Sequence, residues 1–191
     1  MELKRKIRIM EEKFLKPSLE FVEQVFSEWC DAEEGKIVRE LVEEIRRKKY
    51  YLPELELLMV DEKEEIIGYV MFSRFFLRKG MQQCYEEELL MLTPAAVKTS
   101  LQRQHISKEL IEYGFQKARK MGYKAVLVEG NPRNYNSRGF ETAAKYNILP
   151  GERVHLPNID CLMVKELVPG SLEHIQGIVE YDFYDCLIEG E

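Results

Sequence analysis

The sequence is poor in the residue patterns that build metal, redox and covalent catalytic centres. It has four cysteines and three histidines among 191 residues. Cys30, Cys84, Cys161 and Cys186 form no Cys-x-x-Cys pair and His105, His155 and His174 stand apart from one another, which argues against a zinc site. With no export signal in a chain of this size, a disulfide framework is not expected, and the thiols are expected to be reduced and in the core. No Gly-x-Ser-x-Gly elbow accompanies the histidines, so a covalent triad lacks support. No stretch reaches the roughly 20 apolar residues of a membrane span, and the opening MELKRKIRIMEEKF has basic residues without an apolar h-region. The expectation is a cytoplasmic protein without a membrane partner. A basic excess is also lacking. The 28 basic and 34 acidic residues give a net charge of −6, which disfavours a nucleic-acid partner and mildly favours a cationic acceptor.

What is present is an apolar fraction of 45%, enough for one sizeable core, and no repeat or low-complexity linker; a single domain over residues 1–191 is expected. Residues 4–10 read as a short strand. Pro17 suits the first turn of a helix, and Leu19, Val22, Val25, Phe26 and Trp29 follow at helical spacing. Residues 31–35 are expected to break that helix before a second stripe, Ile37, Val38, Leu41, Val42 and Ile45, which ends in the basic run 46–49. From Leu55 the period changes. LELLMV and EIIGYVMFSRFFL, joined by DEKEE, read as an antiparallel hairpin; residues 80–85 read as a loop, and ELLMLTPAAV as a strand apolar on both faces. Pro94 cannot donate to a ladder and marks a place where pairing stops.

Ile106, Leu110, Ile111, Phe115, Ala118 and Met121 trace one helical face, with Gly122 as the C-cap. The strand YKAVLVEG then implies a parallel pair with a right-handed crossover. A short turn or helix after Asn131, a loop, a strand near residues 159–167 and a tail complete the chain.

This order of elements resembles the GNAT acetyltransferase fold, and two segments resemble its sequence motifs, most nearly those of the YhbS-like bacterial subfamily. LTPAAVKTSLQRQHISKEL is similar to the family's strand and pyrophosphate loop, Gln/Arg-x-x-Gly-x-Gly/Ala, with Gln102, Arg103, Gln104, His105, Ile106 and Ser107 in the six positions. Backbone N–H groups at a helix N-terminus suit a pyrophosphate. Both glycines are replaced here, by His105 and Ser107, while Lys98, Arg103, His105 and Lys108 gather positive charge. The resemblance also implies that backbone around Ala95, Ala96 and Val97 binds the pantetheine arm as an added strand would. VEGNPRNYNSRGFETAAKY is similar to Gly-Asp-Pro-x-Tyr-Tyr-x-x-x-Gly-Phe: Gly130, Pro132, Tyr135, Gly139 and Phe140 match, Asn131 replaces the acid, and Asn134 replaces the first tyrosine. Many GNAT enzymes use a tyrosine at the place of Tyr135 to protonate the departing thiolate.

What the resemblance implies is an α/β (α+β) fold with a mixed, mostly antiparallel sheet, helices on both faces and a splayed central strand pair. The cofactor core spans about 86–145, and the C-terminal strands and tail about 158–191. The implied activity is an N-acyltransferase that moves an acetyl group from acetyl-CoA, as co-substrate and without a metal, to a primary amine of a small molecule or peptide by direct attack. Tyr135 is the expected acid and Asn131 an expected cofactor contact. Glu86, Glu87 and Glu88 are candidates for the base, Glu88 lying nearest the strand, although a solvated run reads the same way. Tyr181, Asp182, Phe183, Tyr184 and Asp185 in the tail suit an acceptor cleft, cover for a sheet edge, or a subunit contact in a homodimer. Two other classes remain open, a non-catalytic acyl-CoA-binding or sensing module and a protein-interaction domain that keeps the fold.

Overall fold

Apolar residues at helical or alternating spacing become, in the computed structural model, five helices and eleven strands among the described residues, which are 4–80, 82–84 and 89–188. In chain order they are β1 (Arg5–Ile9), α1 (Leu15–Trp29), α2 (Ala32–Arg47), β2 (Glu56–Asp61), β3 (Ile66–Arg74), β4 (Leu77–Lys79), β5 (Gln82–Cys84), β6 (Leu89–Val97), α3 (Ile106–Lys120), β7 (Ala125–Glu129), α4 (Pro132–Tyr135), β8 (Glu141–Thr142), β9 (Ile148–Pro150), β10 (Leu162–Glu166), β11 (Gly177–Val179) and α5 (Asp185–Ile188). The mixed, mostly antiparallel architecture expected from the sequence is present. The chain divides into two compact units: Met1–Phe72 with Pro94–Gly114 and Tyr184–Glu191, and Ser73–Thr93 with Phe115–Phe183. Strands β3 and β6 and helix α3 contribute residues to each.

In the first unit the strand order is β1-β2-β3-β6, with β1, β2 and β3 antiparallel. Helix α1 buries Leu19, Val22 and Val25. Trp29, expected on the same buried stripe, is 72% exposed because it is the last residue of the helix, where the stripe runs out. The Asp31 carboxylate accepts the N–H groups of Glu33 and Glu34 at 3.0 and 2.9 Å, capping α2. The break expected over 31–35 is therefore confined to the cap. Gly35 lies inside α2, and a Cβ there would stand 2.1 Å from Ser27 Oγ and 2.5 Å from the Glu23 carbonyl oxygen, so this glycine permits close approach of α1 and α2.

A charged centre is buried in the same unit. Glu56 has no solvent exposure, and its carboxylate accepts from Arg46 at 2.5 and 3.0 Å, from the Tyr51 hydroxyl at 2.5 Å and from the Tyr69 hydroxyl at 2.6 Å. Arg46 also reaches Ser18 Oγ and the Leu15 carbonyl, linking α1, α2 and β2. Burial, together with the neighbouring Glu56 carboxylate, pushes the Tyr51 and Tyr69 phenols up, so both stay protonated donors.

In the second unit the order is β6-β7-β10-β8, with β6 and β7 parallel and the other neighbours antiparallel. A separate four-stranded sheet, β5-β4-β11-β9, lies in the same unit. Two sequence expectations change here. The run read as one strand over 65–77 divides into β3 and β4, which belong to different sheets, and the segment read as a loop over 80–85 contains β5, paired antiparallel with β4. Strands of three residues offer too few alternations to be recognised by period. The cysteines also differ from expectation: Cys161 is buried, but Cys30, just past the end of α1, is exposed.

Candidate active site

The loop that leads into α3 carries the first group of site residues, all within the first unit up to Gly114. Strand β6 ends at Val97; the Lys98 N–H donates to the Ile67 carbonyl at 3.1 Å, and a 3-10 turn covers Thr99–Leu101. Gln102 is extended, and then Arg103 and His105 take φ of 62° and 65°. This is the left-handed region that glycine enters freely and other residues rarely do. His105, at the motif's first glycine, thus keeps a glycine-like backbone. Left-handed residues alternating with right-handed ones are the backbone pattern of anion-binding concavities.

The loop is anchored below and open above. Ile106 is buried, while Gln102, Arg103, Gln104 and His105 are exposed and Ser107 is half-buried. The first bond of the helix runs from the Glu109 N–H to the His105 carbonyl at 3.0 Å, so the positive end of the helix dipole lies at this turn. A Cβ at Gly68 would lie 2.5 Å from Ile106 Cγ2 and 3.0 Å from Leu110 Cδ1, so glycine on β3 lets this turn pack down. These observations fit a pyrophosphate. Of the four expected cations, Lys98 and Lys108 have carboxylate neighbours, Glu65 at 3.9 Å and Glu112 at 3.8 Å. The Thr99 hydroxyl donates to Glu28 at 2.5 Å, which holds the Glu28 carboxyl below its ordinary range.

Strand β6 supplies the residues expected for the pantetheine arm. Its parallel ladder with β7 has three pairs, Leu89–Ala125, Leu90–Val126 and Met91–Leu127. The ladder stops there although β6 continues to Val97 and β7 to Glu129. Pro94 lies beyond the last pair, as its missing donor requires. Ala95 and Val97 are half-buried and Ala96 is buried.

Tyr135 belongs to the second unit, at the end of α4. Asn131 caps this turn, its side chain accepting the Arg133 N–H at 3.0 Å, and Pro132 occupies the first helical position. Gly139, at φ 79°, ends the following 3-10 turn and directs Phe140 into the core. The Tyr135 ring meets the edge of Phe140 at 5.5 Å between centroids, Phe140 meets Phe115 at 5.7 Å, and the Arg138 guanidinium stands 5.5 Å from the Tyr135 ring centre. Burial raises the Tyr135 phenol above its ordinary value, with Arg138 opposing. A neutral phenol is the state an acid needs.

Glu86, Glu87 and Glu88 lie outside the described residues. Tyr181 donates to Glu129 at 2.9 Å, and Phe75, Phe76, Tyr181 and Phe183 form an aromatic cluster. Tyr184 and Asp185 fall in the first unit: Tyr184 packs on Tyr50, and the Asp185 N–H donates to Glu44. An open cavity of about 520 Å³ in the first unit is lined by Lys13, Phe14, Phe21, Glu64 and Ile66 among others and includes none of the expected site residues. Among the described residues no group of three or more metal-ligating side chains occurs, and no helix is long and apolar enough to cross a membrane. Sequence reasoning had no signal for the left-handed backbone at Arg103, nor for the contact of Gly130 with the Tyr135 ring, both of which require coordinates.

Residues 21–141, well over half of the chain, match the profile described as Acetyltransferase (GNAT) family. YhbS of Escherichia coli strain K12, named as an uncharacterised N-acetyltransferase, is 29% identical over 128 residues, covering 66% of this chain and 71% of that protein. The crystal structure of Escherichia coli YhbS in complex with CoA superposes with a TM-score of 0.79 at 23% identity, covering 95% of this chain and 91% of that one. A GNAT family acetyltransferase from Brucella melitensis, in complex with acetyl-CoA, gives 0.67 at 18% identity over 94% and 97%. These two likenesses bear on the fold. With the profile match spanning the loop before α3 and the Tyr135 turn, the chain belongs to the acetyltransferase (GNAT) family.

Proposed function

We propose that the protein is an acetyl-CoA-dependent N-acetyltransferase acting on a primary amine of a small molecule or peptide. The observation that carries this reading is the loop 102–106, whose backbone is left-handed at Arg103 and His105 immediately before α3. Family membership and CoA or acetyl-CoA in the structurally similar proteins support it. A cytoplasmic location belongs to the same reading.

Acetyl-CoA supplies an acetyl group activated as a thioester. The N–H groups of Gln104 to Ser107 hold the pyrophosphate, with Gln102 and Arg103 flanking it, and backbone at Ala95, Ala96 and Val97 receives the amide-bearing arm. Asn131 caps the turn that carries Tyr135. As the amine nitrogen bonds to the acetyl carbon and the carbon–sulfur bond breaks, the Tyr135 hydroxyl gives its proton to sulfur. Glu88 is the proposed acceptor of the amine's proton. The net charge of −6 is consistent with a cationic acceptor.

The test has two stages. CoA is expected to raise the thermal midpoint, and acetyl-CoA with an amine panel is expected to release free thiol. Tyr135→Phe should retain the CoA-induced shift and lose turnover by about a hundredfold or more. Full turnover in that variant removes Tyr135 from the mechanism. A CoA shift without thiol release from any amine favours the sensing module, for which the two missing motif glycines are the supporting observation.

A further inference from the structure

Gly130 is the residue between the end of β7 and the turn that carries Tyr135, and its backbone does not require glycine. Its φ lies outside the left-handed region. Its N–H donates to the Cys161 carbonyl at 2.9 Å, which ties the position to the segment leading into β10. The space beside it is a different matter. A Cβ at 130 would stand 2.5 Å from Cε2, 3.0 Å from Cδ2 and 3.4 Å from Cζ of Tyr135, and these are the three nearest atoms it would meet. The Cε2 edge of the Tyr135 ring therefore lies against the glycine, in the volume a methyl group would take.

That ring has little room to retreat. The edge of Phe140 faces it at an interplanar angle of 81°, and Phe140 is itself 2% exposed and packed on Phe115. The Phe140 N–H closes back on the Tyr135 carbonyl at 3.4 Å, and the Arg138 guanidinium covers the ring. Restoring ordinary contact with a methyl group at 130 requires the ring to move by about 1 Å, a displacement that can lower a rate about a hundredfold when it falls on a reacting group.

We propose that Gly130 is a positioning residue, which sets the resting place of the Tyr135 hydroxyl by leaving the volume beside its ring free. The inference rests on the reading of Tyr135 as the acid. It gives the glycine of the Gly-Asn-Pro segment a role in proton delivery through Tyr135, distinct from close approach of the co-substrate.

The experiment measures kcat, KM for acetyl-CoA and the CoA-induced thermal shift for the wild type, Gly130→Ala, Tyr135→Phe and the double variant. Gly130→Ala is expected to lower kcat about a hundredfold with KM and the CoA shift unchanged. The double variant is expected to be no slower than Tyr135→Phe, since a ring without a hydroxyl has no proton to misplace. Wild-type kcat in Gly130→Ala, a loss carried by KM, or losses that multiply in the double variant each overturn the proposal. Should Gly130→Ala fold poorly, Gly130→Ala/Tyr135→Ala decides: removal of the ring should bring the midpoint back to that of Tyr135→Ala alone, and failure to do so shows that the ring is not what the methyl group meets. Full turnover in Tyr135→Phe sinks the acid reading itself, while the midpoint comparison still tests the contact.

Discussion

His105→Gly isolates the strain in the loop before α3. At φ 65° an L-residue is disfavoured by about 1–2 kcal/mol relative to ordinary backbone, and histidine sits at the lower end because it enters this region more readily than most residues. Glycine removes that strain but adds about 0.5–1 kcal/mol of backbone entropy to the unfolded chain. His105 is exposed, so no packing is lost. The net expectation is stabilisation of about 0–0.5 kcal/mol, which in a chain of 191 residues raises the midpoint by no more than about 2 °C. His105→Val is the opposing control, because a branched Cβ in the left-handed region is a true outlier. It should lower the midpoint and weaken CoA binding together, since the carbonyl at 105 also receives the first helical N–H, from Glu109. Differential scanning fluorimetry with and without CoA reads both quantities. A lower midpoint in His105→Gly, or loss of its CoA-induced shift, would refute the claim that left-handed backbone, and not the imidazole, makes this loop.

Arg46→Met leaves the carboxylate of Glu56 buried with hydroxyl donors alone, which should cost about 3–5 kcal/mol and lower the midpoint by roughly 6–20 °C; Arg46→Met/Glu56→Leu, with both charges gone, should recover most of the loss in the same melting experiment. Burial pushes the Glu44 carboxyl up, but the N–H groups of Cys186 and Asp185 outweigh it and hold the group below its ordinary value. Its stabilising contribution is therefore present above the unfolded value of about 4.3 and is lost as pH falls through the lower folded value. The protection of the Asp185 and Cys186 amides, taken as exchange relative to the intrinsic rate at each pH, should fall over that window in the wild type, and unchanged protection would show that Glu44 does not hold α5.

Much of the fold is written in local pattern. The period of α3 was legible from Ile106 to Ala118, all buried as expected, and Gly122 takes the left-handed φ of 94° that its C-cap position demands. The β6–α3–β7 order implied a parallel pair, and β6 and β7 are parallel. In the site, the Gly-Phe pair was legible through its likeness to the family motif, while the capping role of Asn131 came only from the structure. Met121 and Trp29 marked the limit of such reading: each continues a helical stripe in sequence, yet each is exposed at a helix end.

The sequence by itself determined the longer helices and strands, and where the two family motifs lie, since these depend on neighbours within a few residues. Only the tertiary structure decided matters that depend on distant partners. It set Gly35 of α2 against Ser27 and Glu23 of α1, drew β4 and β5 into a second sheet, and buried Glu56 among Arg46, Tyr51 and Tyr69. It also kept a glycine-like backbone at His105 and set the ring of Tyr135 against Gly130. Backbone angles and atomic contacts at these places are imposed by packing across the chain, where residue type alone specifies neither the partner nor the distance.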